Sequence, residues 1–440
     1  MRRRTAVLSV SAGVLFAVTS VAGATTVVHD RTTAQQQPAA AGTTVGGAVD
    51  PLAAAVTAAQ RRLEQVPGDW TTWAALGTAY VEQARVTADP SYYDKADGAL
   101  ARSLALRPDG NDAALAGQAA LANARHDFRA AAALGEQVVA LNPFSATGWG
   151  VLTDARTQLG DTAGATAALQ RMLELDPGIA SFTRASYDAE LRGDRVNARW
   201  ALEQALATAQ SPADEAWCHA HLATLALADG DRDEAAAQVT AGLLATPGDP
   251  SLLLVRARVD AGRGDVDAAL AGFRAVVEAR PLPENVVEYG EYLESLGRDA
   301  EAAQQYAVVD TVRRLFAAGG VADDLSVALF AADHGDPGTA LAAATAERER
   351  RQNTDSADAL AWALHSAGRD AEALPLAEEA TALGGAGAVA LYHRGAIEAA
   401  LGLDDRARAT LTQALDTNPS FSPLLAPRAQ QLLDSLAVPA

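Results

Sequence analysis

Eight glycines, Gly160, Gly193, Gly230, Gly264, Gly297, Gly335, Gly368 and Gly402, recur along this chain, and an alanine stands five places after every one. Their spacings are 33, 37, 34, 33, 38, 33 and 34 residues. Alanine makes up roughly a quarter of the sequence, so eight matches by chance would be on the order of one in 10^5. A period of this length holds one supersecondary unit, two short helices and a turn, which buries its apolar face only against its neighbours. A chain built this way grows by adding units, so its 440 residues are a weak guide to domain number.

Composition agrees. Aromatics are only 5% of the chain, mean hydropathy is near zero and alanine is abundant, which suits helices packed through small side chains. Little alternating β-branched sequence suggests a sheet, so an all-α chain is expected. The formal net charge is −20, and residues 1–50 are slightly basic, which makes the remainder still more acidic. Such a surface repels phosphate backbones, and no nucleic-acid partner is expected. Lys95 is the sole lysine. Cys218 is the sole cysteine, which excludes a disulfide framework within the chain and favours a small buried hydrophobe.

The N-terminus has the pattern of an export signal. Arg2, Arg3 and Arg4 precede an uncharged stretch from Thr5 to Val28, with Ala22-Gly23-Ala24 offering a small-x-small cleavage site. The same stretch is long enough to span a bilayer, so residues 1–28 read as a cleaved signal peptide or a retained signal anchor. Both place the arginines in the cytoplasm and the remainder outside, secreted or anchored to the plasma membrane of a bacterial-type envelope. No cysteine stands near the cleavage site, which excludes a lipoprotein anchor. Residues 29–50 read as a flexible linker reaching about 25 Å.

Units are expected to begin near 70, 112, 146, 179, 216, 250, 283, 321, 354 and 388. The first carries Trp73, Leu76, Gly77 and Tyr80, then Ala96, Leu100, Ser103 and Pro108, with an insertion at Asp89 to Tyr93 in its turn. This signature resembles the tetratricopeptide repeat family. Bulky residues at the fourth, seventh and eleventh positions fill the space between two helices, and small residues at the eighth, twentieth and twenty-seventh let backbones approach. Each phased glycine ends a first helix in the left-handed conformation. Asp161, Asp194, Asp231, Asp265 and Asp336, directly after it, cap the second. Pro108, Pro143, Pro177, Pro247, Pro281 and Pro419 close second helices. Unit two uses His126-Asp127 in place of the glycine, and Ala344 and Ala377 leave units eight and nine expected to be the loosest. Short insertions near Ser211 to Glu215 and Ala317 to Gly320 mark breaks in regularity. The expected organisation is a capping half-repeat over 51–69, an array over 70–421 and a capping helix and tail over 422–440. The resemblance implies a right-handed α-solenoid of about ten helix-turn-helix units.

The resemblance also implies that the first helices line a concave face, whose second, fifth, sixth, ninth, twelfth and thirteenth positions meet a partner. By position these are Asn123, Asp154, Arg184, Tyr187, Trp217, His221, Arg258, Glu288, Glu291, Glu294, Asp358, Trp362, His365, Tyr392 and His393. The family's lysine and asparagine clamp for a terminal carboxylate is absent: Ala74 and Ala116 stand at its positions. Arg184 and Arg258 could meet a carboxylate instead. Glu284, Glu288, Glu291 and Glu294 form an acidic stripe, read as a solvated face, with attraction of a basic segment as the alternative. Residues two apart diverge around a helix, so His219 and His221 do not converge on a metal. His365 and His393 are the one pair worth testing.

No nucleophile elbow, phosphate-cradling loop or two-histidine zinc helix is present. The reading is a non-catalytic scaffold that needs no cofactor and binds a protein or peptide in the cell envelope, touching the membrane only through its N-terminal segment. The alternative is a self-assembling structural protein that uses the solenoid ends or convex face. A third reading, a metal-binding accessory, hangs on His365 and His393.

Overall fold

The computed structural model describes residues 51–436. Among them the regular structure is helical throughout. Helix α1 (Pro51–Gln65) precedes a series of packed hairpins: α2 (Trp70–Thr87) with α3 (Ser91–Leu106), α4 (Asp112–Ala124) with α5 (Phe128–Leu141), and α6 (Ala146–Gln158) with α7 (Thr162–Leu175). Next come α8 (Ile179–Leu191) with α9 (Arg195–Ala207), α10 (Pro212–Ala228) with α11 (Arg232–Ala245), and α12 (Pro250–Arg263) with α13 (Val266–Ala279). Then α14 (Pro283–Ser295) pairs with α15 (Asp299–Ala318), α16 (Asp324–His334) with α17 (Pro337–Arg350), and α18 (Thr354–Ser366) with α19 (Asp370–Ala380). Helix α20 (Ala388–Ala400) pairs with α21 (Asp404–Thr417), and α22 (Leu425–Leu436) packs on both. The export segment and linker lie outside the described residues. Among those described, no helix is long and apolar enough to cross a membrane.

The helix ends follow the local chemistry. Seven of the eight phased glycines have φ between +69° and +79°. The following aspartates cap the second helices: Asp161 accepts from Gly164 N at 2.9 Å and Asp231 from Glu234 N at 3.0 Å. Gly335 departs from the expectation, with φ −128°. Its neighbour Asp336 precedes Pro337, which drives it to extended backbone, and the chain enters α17 by another path. Helix α10 starts at Pro212, not 216, because the Ser211 hydroxyl caps Asp214 N at 3.1 Å. Helix α16 starts at Asp324, not 321; Val321 is buried in the apolar cluster of the first units, and the Ala322 carbonyl is engaged by His126 of an earlier unit. In the units expected to be loosest, α16 and α19 are only 11 residues each and α19 contains Pro375, while Ala344 and Ala377 are fully buried.

All eight alanines that follow the glycines are buried, none more than 3% exposed. They sit on second helices where the hairpins close. Leu100 shows the complementary role, filling space vacated by two glycines: a Cβ on Gly77 would lie 2.5 Å from its Cγ, and one on Gly117 2.4 Å from its Cδ2.

The stack of hairpins winds back on itself. Arg125 Nε donates to the Gly319 carbonyl at 3.4 Å, and His126 Nδ1 lies 2.8 Å from the Ala322 carbonyl. Asn353 Nδ2 donates to Gln158 Oε1 at 3.0 Å, and Asn418 Nδ2 to the Leu227 carbonyl at 2.9 Å. These partners are 194, 196, 195 and 191 residues apart. A near-constant offset along a repeat chain means that one superhelical turn rests on the next. In each contact the earlier partner lies at the turn inside a hairpin, and the later one lies at a link between hairpins. Gly160 and Gly193 serve twice, turning the chain and admitting the next turn: a Cβ would lie 2.2 Å from the Gln352 carbonyl oxygen and 2.5 Å from that of Gly384.

Candidate functional site on the first helices

The side chains nominated for the inner face are tied to one another, unit to unit. Arg184 on α8 donates to both carboxylate oxygens of Asp154 on α6 at 2.8 Å, and both side chains are nearly buried. Arg258 on α12 makes the same two-pronged contact with Glu288 on α14, at 2.7 Å for each bond. Such forks are the strong form of a charged hydrogen bond. Asn123 Nδ2 donates to the Val151 carbonyl at 3.3 Å. Each link joins neighbouring first helices, so these five residues lie along one row of first helices.

The acidic stripe of α14 differs from the expected solvated face. Besides the Glu288 fork, Glu291 lies 3.2 Å from His334 Nε2, and Glu294 accepts from the Tyr306 hydroxyl at 2.9 Å. The next first helix, α16, brings His334 to the stripe. Glu284 has no such partner. Burial pushes its carboxyl up to about 7, with Asp323 adding to the shift and Arg280 and Arg258 opposing it.

Near the C-terminal end the wall is aromatic. Trp362 stacks on His393, with ring centroids 4.0 Å apart and 13° between planes, and on His365 at 4.8 Å and 23°. Its indole Nε1 donates to Asp333 at 2.9 Å. His393 is 1% exposed and holds Asp358 through Nδ1 at 3.0 Å, while His365 turns to Asp370. The two histidines are therefore oriented by separate carboxylates on either side of an indole. Tyr392 lies 6.1 Å from Phe421, ring to ring, in the cluster that α22 covers.

Trp217 and His221 pack on each other on α10, with ring centroids 4.0 Å apart. Burial and then the Arg85 charge push His221 down to about 4. Arg85 is on α2, so first helices of distant units face one another electrostatically. Tyr187 likewise feels Asp355 of α18, and burial leads in raising its hydroxyl pKa. His219 points elsewhere, to Gln238 at 2.7 Å. Cys218 is fully buried and its thiol is pushed up to about 12 by burial. Among the described residues, no group of three or more His, Cys, Asp or Glu is gathered as a metal would require.

The seam between turns has no counterpart among the nominated residues. A groove of about 410 Å³ straddles it, lined by Arg129, Thr345, Arg348, Glu349, Gln352 and Leu360. Sequence offered one indirect signal, the glycine pairs Gly319-Gly320 and Gly384-Gly385 in links between units.

No family model matches the chain, and no curated protein matches it. Among solved structures it is similar to a thermophilic tetratricopeptide protein of Thermus thermophilus, at 25% identity over 44% of this chain and 98% of that one, with a TM-score of 0.38. It is similar to PilW, a type IV pilus biogenesis factor, at 18% identity over 44% of this chain and 90% of that one, TM-score 0.38. A third is the Cut9–Hcn1 heterotetramer, at 12% identity over 88% and 93%, TM-score 0.39. The class itself follows from the phased glycines, the buried alanines and the consecutive hairpins: the chain is an all-α protein built of repeated helical hairpins.

Proposed function

We propose that this protein is a non-catalytic scaffold of the cell envelope, binding a protein or peptide segment on the wall formed by its first helices. The observation that carries the reading is the ladder of forked and stacked side chains, Asp154–Arg184, Arg258–Glu288 and Asp358–His393–Trp362, repeated along one wall. Charged forks and aromatic planes are the groups that binding hot spots use, and here they are held in place by their neighbours. A segment carrying both charge signs can exchange with these pairs one unit at a time. The envelope placement rests on the arginines and uncharged stretch of residues 1–28, and membrane contact is assigned to that segment alone.

The test is photo-crosslinking in intact cells, with the reactive residue at position 258 on the wall or at exposed position 240 on a second helix. Adducts from 258 and none from 240 support the reading; adducts from 240 alone overturn it.

A second reading, self-assembly, has its own observation. Val196 and Trp200 on α9 and Leu244 on α11 are 79%, 52% and 81% exposed, all on second helices. Solution mass decides here: a monomer that stays monomeric when residues from Leu424 onward are deleted speaks against an assembler.

A further inference from the structure

We propose that the contact between superhelical turns is a latch: it holds the array closed, and a partner reaches the first-helix wall from the side only after the turns part. The proposal rests on the scaffold reading for what enters, but the latch is a property of the chain alone. Two observations carry it.

First, the contacts form one continuous seam at a fixed offset, from Arg125 and His126 against Gly319 and Ala322, through Gln158 against Asn353, to Leu227 against Asn418. Units far apart in sequence are thereby stacked edge to edge, which closes the way to the wall between turns, in keeping with the electrostatic influence of Arg85 on His221 and of Asp355 on Tyr187. Second, the seam is built unlike the hairpins. Hairpins close on buried apolar side chains along their whole length, whereas the seam has apolar contact at one end only, where Val321 and Phe316 join the core of the first units, and is otherwise a row of separated hydrogen bonds and bare backbone approaches at glycine. Hydrogen bonds at an edge exchange with water at little net cost, while apolar burial does not. The seam is thus the part that can open while every unit stays folded.

The test reads a distance across the seam in the full-length protein. Cysteines replacing exposed Thr87 and Ala318 take spin labels, and Cys218 is shielded from labelling by its burial. Two glycines allow a wedge. Gly319 has φ −80°, and its Cβ would lie 2.5 Å from Pro90 Cβ; a Cβ on Gly385 would lie 2.0 Å from the Glu190 carbonyl oxygen. Gly319→Val with Gly385→Val should move one narrow short distance to a longer, broader distribution while helical circular dichroism is kept. Gly98→Ala, on an open face of α3, should leave the distance distribution unchanged. A second pair, Arg129→Ala with Asn418→Ala, removes two seam hydrogen bonds, along with the local bonds that Asn418 Oδ1 accepts from Ser420, and should add a longer component. A long, broad distribution in the unaltered protein overturns the latch, as does a folded wedge variant that keeps the short distance. If the wedge variant does not fold, an unchanged distribution in the Arg129 and Asn418 variant overturns it. No partner is present in this measurement, so its failure leaves the scaffold reading standing.

Discussion

At the scale of single residues the first-helix wall is a set of committed pairs, and removing one member exposes the other. Arg184→Ala leaves Asp154 buried without its fork, and a loss of about 3 kcal/mol is expected, because an unpaired buried charge costs more than the pair contributes. Adding Asp154→Leu should recover much of it; denaturant midpoints of the single and double variants measure the difference. The raised carboxyls give a pH dependence of definite sign. Glu284, at about 7, and Asp355, at about 6, hold their protons more tightly folded than unfolded. Their contribution is full below the unfolded values and is lost as pH rises through 6 to 7. Glu284→Gln should therefore raise the melting temperature at pH 8 and have little effect at pH 5. His221 acts in the opposite sense: its folded value of about 4 contributes stability above pH 6.5 that is lost as pH falls.

At the scale of the helix hairpin, the alanines are as specific as the glycines. Ala235 is fully buried among Val239, Leu252 and Val255, so Ala235→Leu should cost about 1–3 kcal/mol by overpacking. Gly98 is an exposed helical glycine with open space around it, and Gly98→Ala should stabilise by about 0.5–1 kcal/mol; thermal melting reads both. Helix ends were legible in sequence because their causes are local: a left-handed glycine, a capping aspartate, a closing proline. Gly335 escaped because Pro337, two residues on, altered the approach. The nominated wall residues do gather on the first helices, but what they bond to was not legible. The Arg184–Asp154 and Arg258–Glu288 forks join residues 30 apart, and reading them needs the rotation between units as well as the phase within one. The same rotation turned the α14 stripe from an expected solvated face into a row capped by His334.

At the scale of the molecule, winding decides what the wall can meet. An offset of 191 to 196 residues is the sum of small rotations over nearly six units, and no motif within a unit records it. His126 belongs to this scale. It takes φ +62° where other units have glycine, and it turns its ring nitrogen to the Ala322 carbonyl of the next turn. The residue that looked like a lapse in the repeat is a seam contact. Small-angle X-ray scattering of the purified full-length protein tests whether the array of helical hairpins is wound so that its turns touch. Stacked turns give a compact profile that expands in the Gly319→Val, Gly385→Val variant; an open, elongated profile in the unaltered protein would mean that the turns do not touch.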